Sequence, residues 1–251
     1  MIKGNKVVAT LQVRMNSSRL FGKALLPLAG EPVLARIIER LRKSKVLDEI
    51  IVATTTNKED DRIVELCNKM VCRYYRGSEE DVLLRILEAA RLCQADIIVQ
   101  SMADSPLIDW RHIDSMAHLL VDGGYDYATN EIKNPFPTGF DIRMYPAMVL
   151  EEVEKIALDP EYREHGCLYI STHPEKYRFV NLEAPSYMRW PSLRLTLDTK
   201  EDYNLISKTY DYLYPINNDF SAEDVIEFLK QHSELASINS HIKQKVSKIL
   251  K

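Results

Sequence analysis

The chain has 251 residues, 45% hydrophobic and 28% charged, with a net charge of −4. The apolar fraction is enough for a sizeable core, which excludes global disorder, and no apolar run approaches the ~20 residues of a membrane-spanning helix. The opening MIKGNKVVATLQV runs into a strand-like segment instead of an apolar leader with a cleavage site, so a cytoplasmic protein without membrane insertion is expected.

The charge is unevenly spread. Residues 1–45 carry ten Lys/Arg against Glu31 and Glu39, a net +8, which leaves −12 for the remainder. An acidic protein with one basic edge suits a small, highly charged anion better than nucleic acid, and no nucleic-acid partner is expected. Cys67, Cys72, Cys93 and Cys167 form no C-x-x-C pair and read as buried thiols.

In chain order, Lys6–Val13 is a short β-rich apolar run. Pro32 opens a helix at its first position, and Leu34, Ile37, Ile38 and Leu41 give it a buried stripe. Glu49–Thr55 is a second strand. Asn57 reads as the N-cap of a helix carrying Ile63, Val64, Leu66 and Cys67. A strand follows near Arg73–Tyr75. Ser78 then caps a helix through about Cys93, with Asp81 three residues on in a variant of the capping box. Asp96–Met102 is a continuous apolar strand. Beyond about 125 the expected strands are Tyr125–Asn130, Phe140–Tyr145, Tyr177–Leu182 and Leu193–Asp198, and the expected helices are 201–213, 222–232 and 235–250.

Strand–helix alternation implies an α/β fold, a mostly parallel sheet with helices on both faces. Ligands in such sheets sit at the carboxyl ends of the strands, so loops 13–24, 54–57, 76–79 and 102–108 should share one edge. No linker or repeat divides the chain. The expected organisation is a single domain over 1–251, with a β-rich insert at about 130–190 and C-terminal helices over 214–251.

The loop after the first strand reads QVRMNSSRLFGKALLPLAGEP and places Arg14, Arg19 and Lys23 within ten positions, with Ser17, Ser18 and Gly22 between them. A nucleoside triphosphate carries about four negative charges and needs charge-assisted donors and a closely approaching backbone. The loop is neither a G-x-G-x-x-G fingerprint nor a Walker A P-loop. Asp104 and Asp198 each close a predicted strand. They can share one magnesium, which takes one or two carboxylates plus phosphate oxygens, or they can serve as helix caps.

These residues carry a resemblance. The first loop is similar to the R-x-x-S-x-R-L-x-G-K-x-L signature of the cytidylyltransferases that make nucleotide-activated sugar acids. YRGSEEDVLLR (75–85), VQSMADSPLID (99–109), PTGFDIRMYP (137–146) with REHGCLYI (163–170), and LRLTLDTKEDY (193–203) resemble the spore-coat polysaccharide biosynthesis protein F branch of that family. The likeness spans about residues 7–213 and implies the Rossmann-like nucleotide-diphospho-sugar transferase fold.

The resemblance implies Mg²⁺-dependent transfer of CMP from CTP to a hydroxyl of a sugar or sugar acid, with release of pyrophosphate, in cell-surface polysaccharide biosynthesis. It puts Arg14, Ser18, Arg19 and Lys23 on the triphosphate. It puts Leu11 and Val13 on the cytosine through backbone groups, and Arg76, Gly77 and Ser78 on a loop closing over base and ribose. Asp104 and Asp198 fall on metal-binding positions and, with Arg19 and Lys23, form the catalytic set. Gln100, Asp141, Glu164 and His165 fall in the acceptor region. Relatives of this kind pair through the stretch at 130–190, which implies a homodimer. Its aromatic residues Phe136, Phe140, Tyr145, Tyr169, Tyr187 and Trp190 suit a contact surface as well as a core.

The chain departs from the branch pattern at Phe21, Gln100, Met102, Ala103 and Arg143, mostly in the acceptor region, so the acceptor is left open. Alternatives are a sugar-1-phosphate nucleotidyltransferase, or a degenerate paralogue that binds nucleotide without turnover. The former generally has a more glycine-rich first loop, whereas Gly22 is the only glycine between residues 13 and 29.

Overall fold

The computed structural model describes residues 1–244 and 249. Strand β1 (Val7–Gln12) leads through the basic loop to a two-residue hairpin of β2 (Pro27–Leu28) and β3 (Glu31–Pro32). Helix α1 (Val33–Leu41) follows with Pro32 as its extended N-cap, so it begins one residue later than expected, because a ψ of 147° holds Pro32 outside the helix. Then come β4 (Glu49–Thr55), α2 (Asp61–Lys69), β5 (Arg73–Gly77), α3 (Val82–Leu92), β6 (Ile97–Met102) and α4 (Trp110–Gly123). The second half contains β7 (Tyr127–Thr129), β8 (Arg143–Pro146), α5 (Ala147–Ile156), α6 (Pro160–Glu164), α7 (Leu168–Thr172), β9 (Phe179–Asn181), α8 (Lys200–Ile216), α9 (Ala222–Gln231) and α10 (Ser233–Ala236).

Seven strands form one sheet in the order β5-β4-β1-β6-β8-β7-β9. The β5-β4-β1-β6 part is parallel, as right-handed strand–helix–strand connections require. β8 runs antiparallel to both β6 and β7. β1 lies between β4 and β6, and both faces are covered, so Val7, Val8, Ala9 and Leu11 are buried. The carboxyl ends of β1 and β6 therefore open side by side at one edge.

Several expectations are corrected. Asp81, not Ser78, caps α3, since its carboxylate accepts the Leu84 N–H at 2.9 Å while the Ser78 hydroxyl accepts the Asp81 N–H at 3.0 Å. Asn57 precedes a single 3-10 turn and caps nothing with its side chain, which donates instead to Glu79 at 2.5 Å. Helix α4 had no predicted counterpart, although Asp109 caps it and Ile113, Met116, Ala117 and Leu120 form its buried stripe. Among the described residues Leu193–Asp198 is extended but joins no ladder, having one isolated bridge between Thr138 and Arg194. The 130–190 stretch holds two short strands and three α-helices, so it is not β-rich. Of the six aromatics named above, Phe136, Phe140, Tyr145 and Tyr169 are buried in the core. The helix expected over 235–250 is limited to four residues and then turns, and the rest of that expectation falls at 245–248 and 250, outside the described residues.

Candidate active site

The basic loop is shaped before any ligand arrives. Buried Asp60 receives the Met15 N–H at 2.7 Å, the Thr54 hydroxyl at 3.0 Å and the Thr55 N–H at 3.1 Å. One carboxylate thus ties the loop after β1 to the end of β4. Gly22 sits at φ 69°, a left-handed conformation that glycine adopts without Cβ strain, and its N–H donates to the Met15 carbonyl at 2.9 Å. The chain reverses there into a short 3-10 turn, Lys23–Leu25, that aims Lys23 back across the sheet edge.

Two acidic segments meet Lys23, one after β6 and one in the extended run before α8. Its Nζ donates to the Leu197 carbonyl at 2.7 Å and to Asp198 Oδ1 at 2.9 Å, and lies 3.6 Å from Asp104 Oδ2. The segments are stitched together, because the Leu197 N–H donates to the Asp104 carbonyl at 2.7 Å. Neither aspartate caps a helix. Asp109 caps α4, and Thr199 caps α8 in a reciprocal capping box with Asp202. The cap alternative is thereby removed for both.

Asp198 is the electrostatic centre. Arg19 Nη2 and Arg194 Nη2 each lie 2.7 Å from its Oδ2. Burial alone pushes its carboxyl up, but Lys23, then Arg19 and Arg194, outweigh burial and hold it below the usual carboxylate range. The site therefore holds two carboxylates and three cations linked by ion pairs.

A cavity of about 250 Å³ opens over this centre. It brings together Val13, Arg14, Ser18, Arg19, Lys23, Asp104, Glu164, His165 and Asp198 from the expected set. The other expected residues lie off it. Leu11 is buried mid-sheet opposite Val52 and Ser101. Arg76 is occupied by the Thr55 and Asn57 carbonyls and by Asp61, all at 2.7–2.9 Å, so it braces the 55–57 loop. Gly77 pairs with Thr55 at the end of β5, and Ser78 is used by the turn into α3. Gln100 is buried and accepts the Tyr145 hydroxyl at 2.7 Å. Asp141 lies beside Glu131 and Arg143, which form a two-pronged ion pair at 2.7 Å. Burial and then Glu131 push the Asp141 carboxyl up to about 7 against the pull of Arg143.

Sequence reasoning missed other contributors. Gln12 and Arg85 line the cavity, and each keeps a buried nitrogen without a partner. Arg85 makes no ion pair among the described residues, and burial followed by repulsion from Arg14 pushes it down to about 10. Its position within V-L-L-R-I-L gave no signal beyond a charged residue on an apolar helix face. At the mouth, Glu161, Glu164 and His165 bring ligand atoms within 4.8 Å of one another. Glu164 and His165 are exposed there.

Residues 8–238 match the sequence profile of the family described as cytidylyltransferase. The chain belongs to the cytidylyltransferase family. It is 36% identical over 238 residues to the spore coat polysaccharide biosynthesis protein SpsF of Bacillus subtilis, covering 93% of this chain and 98% of that protein. It is 31% identical over 171 residues to a 3-deoxy-manno-octulosonate cytidylyltransferase of Pelobacter propionicus, covering 67% of this chain and 61% of the relative. A solved cytidylyltransferase from Leptospira borgpetersenii superposes with a TM-score of 0.87 at 33% identity, covering 96% of this chain and 99% of that one. The nucleotidyltransferase fold and a nucleotidyltransferase class of enzyme follow. No helix among the described residues is long and apolar enough to cross a membrane.

Proposed function

We propose that this cytidylyltransferase moves CMP from CTP to a hydroxyl of a sugar or sugar acid and releases pyrophosphate. The observation that carries the reading is the cation–carboxylate exchange site, where Arg19 and Lys23 are paired with Asp198 and Lys23 also lies near Asp104. A metal–triphosphate brings both partners that such a site needs. The phosphates would draw Arg19 and Lys23, and Asp104 and Asp198 would then be the residues that hold the metal. The likeness to SpsF and to a sugar-acid cytidylyltransferase supports the acceptor class and a role in cell-surface polysaccharide synthesis.

The donor set fits Mg²⁺. Two carboxylates converge on one point, now taken by the Lys23 ammonium, and supply the hard oxygen ligands that this ion prefers. When bound, Mg²⁺ would withdraw charge from the phosphate oxygens. In this reading Arg19 and Lys23 hold the triphosphate and neutralise charge that develops on the departing pyrophosphate. Arg14 and Ser18 extend the phosphate side, and Val13 with the end of β1 bounds the base. Gln100, Asp141, Glu164 and His165 remain our assignment for the acceptor side, and Leu11, Arg76, Gly77 and Ser78 for the base and ribose side after loop closure. We also propose a homodimer that uses the 130–190 stretch.

A pyrophosphate-release assay with CTP, Mg²⁺ and a panel of sugars and sugar acids tests the reading. Release that depends on one acceptor supports it. Tight CTP binding with no release for any acceptor would instead favour a nucleotide-binding paralogue.

A further inference from the structure

We infer that Arg194 is a positioning residue for Asp198, fixing one carboxylate oxygen so that the other faces the divalent cation of the nucleotide complex. The inference rests on the transfer reading above. Among the described residues Asp198 has three cationic neighbours, and they differ in what holds them. Arg19 reaches in from the exposed part of the basic loop, and Lys23 is a single flexible chain. Either can turn to a phosphate.

Arg194 cannot follow them. It is buried, and it donates from Nε to Asp202 Oδ1 at 3.0 Å and from Nη2 to Asp202 Oδ2 at 3.1 Å. The same Nη2 donates to Asp198 Oδ2 at 2.7 Å, and Nη1 donates to Gln244. Asp202 is itself fixed. Its Oδ2 accepts the N–H groups of Asp198 and Thr199 at 3.0 Å, and its Oδ1 accepts Asn239 Nδ2 at 2.7 Å. The Asn239 amide also donates to the Arg194 carbonyl at 2.9 Å. The fork is thus locked from the helix start and from the segment after α10. With Oδ2 of Asp198 held by Arg194, Oδ1 is the oxygen that Lys23 vacates when a triphosphate arrives. Outer partners of this kind orient metal ligands and typically change metal affinity ~10–100-fold when removed.

The test uses the full chain with CTP and Mn²⁺ as the metal probe, free Mn²⁺ being read by electron paramagnetic resonance. Wild type should bind Mn²⁺ in the presence of CTP. Arg194→Ala should weaken that binding by more than about tenfold, while its affinity for CTP in EDTA stays within about threefold. Arg194→Lys should recover only part of the loss, because a point-like ammonium on a flexible stem does not reproduce the directed Nε and Nη2 bonds of the planar fork. If Arg194→Ala does not fold, Arg194→Lys and Asn239→Ala carry the measurement, each expected to weaken Mn²⁺ binding roughly 3–10-fold. A purely structural role would lower the melting temperature and leave Mn²⁺ affinity of the folded protein unchanged, which overturns the inference. Wild type that binds no Mn²⁺ with CTP would overturn the transfer reading as well. Normal wild-type binding with unaffected variants would overturn this inference alone.

Discussion

Lys23→Ala should make the protein respond to magnesium without nucleotide. In wild type the Lys23 ammonium sits 2.9 Å from Asp198 Oδ1 and 3.6 Å from Asp104 Oδ2, so a cation already fills the point between the carboxylates. Mg²⁺ alone gains little there, because it must displace a lysine that also donates to the Leu197 carbonyl. Removing the ammonium deletes that bond and one charge-assisted bond to Asp198, and hydrogen bonds to charged groups contribute about 1.5–3 kcal/mol each at most. The two bonds sum to at most about 3–6 kcal/mol. Arg19 and Arg194 remain on Asp198, however, and water can reach the part-buried site of the bond to the Leu197 carbonyl. A loss at or below the lower end, about 1–3 kcal/mol, is therefore expected instead of unfolding. The vacated point then suits a divalent ion. At a magnesium concentration ten times its dissociation constant the linkage gain is about 1.4 kcal/mol, or about 3–5 °C in Tm for a chain of this size. The assay is a thermal melt with and without MgCl₂ at matched ionic strength. Turnover should fall about 10²–10³-fold, the usual effect of losing one donor to a developing oxyanion. A variant with no magnesium-dependent rise in Tm and near wild-type turnover would refute the shared cation point.

Three further outcomes follow from the same geometry. The Asp141 carboxyl titrates near 7 when folded, above the unfolded value, so its contribution to stability is complete at low pH and is lost as pH rises through about 7. Asp141→Asn should therefore gain stability over wild type at pH 8 and lose that advantage toward pH 4, and a urea-unfolding difference independent of pH would contradict this. Gly139→Ala should lose both fold and nucleotide binding, because φ is 109° and a Cβ would lie 2.4 Å from the Leu195 carbonyl carbon, in the segment that carries Asp198; a soluble variant with normal circular dichroism would count against it. For assembly, Ile132, Met148 and Leu158 are large apolar side chains left exposed within or beside the 130–190 helices, so light scattering at micromolar concentration should give a dimer mass that Leu158→Glu reduces, whereas a wild-type monomer would remove the proposal.

Much of the fold was readable because its elements are locally encoded. Glu49–Thr55 is a strand by composition, and it is a strand over those residues in the structure. Arg14, Ser18, Arg19 and Lys23 were readable as a group because one loop holds them within ten positions. Helix α4 was readable too, since Asp109 and the Ile113–Leu120 stripe are ordinary helix signals that were overlooked. The strand expected at Leu193–Asp198 failed for a tertiary reason. Two of its N–H groups are taken by single carbonyls of two separate loops, Leu195 by Thr138 and Leu197 by Asp104, both at 2.7 Å. Asp60 and Asn239 were not readable because each joins segments that are distant in the sequence. Asn239 reaches Asp202 across 37 residues, and Asp60 reaches Met15 across 45. Nothing in the sequence shows that Arg76 and Gln100 are engaged within the protein, Arg76 by the Thr55 and Asn57 carbonyls and Asp61, and Gln100 by the Tyr145 hydroxyl.

The most direct test of the central claim is a crystal structure of the full chain with CTP and Mg²⁺. Arg19 and Lys23 should have left Asp198 for the phosphate oxygens, and Asp104 and Asp198 should share one metal ion that also contacts the triphosphate. CTP bound elsewhere, or the two aspartates remaining paired with Lys23 while the nucleotide is bound, would contradict the account.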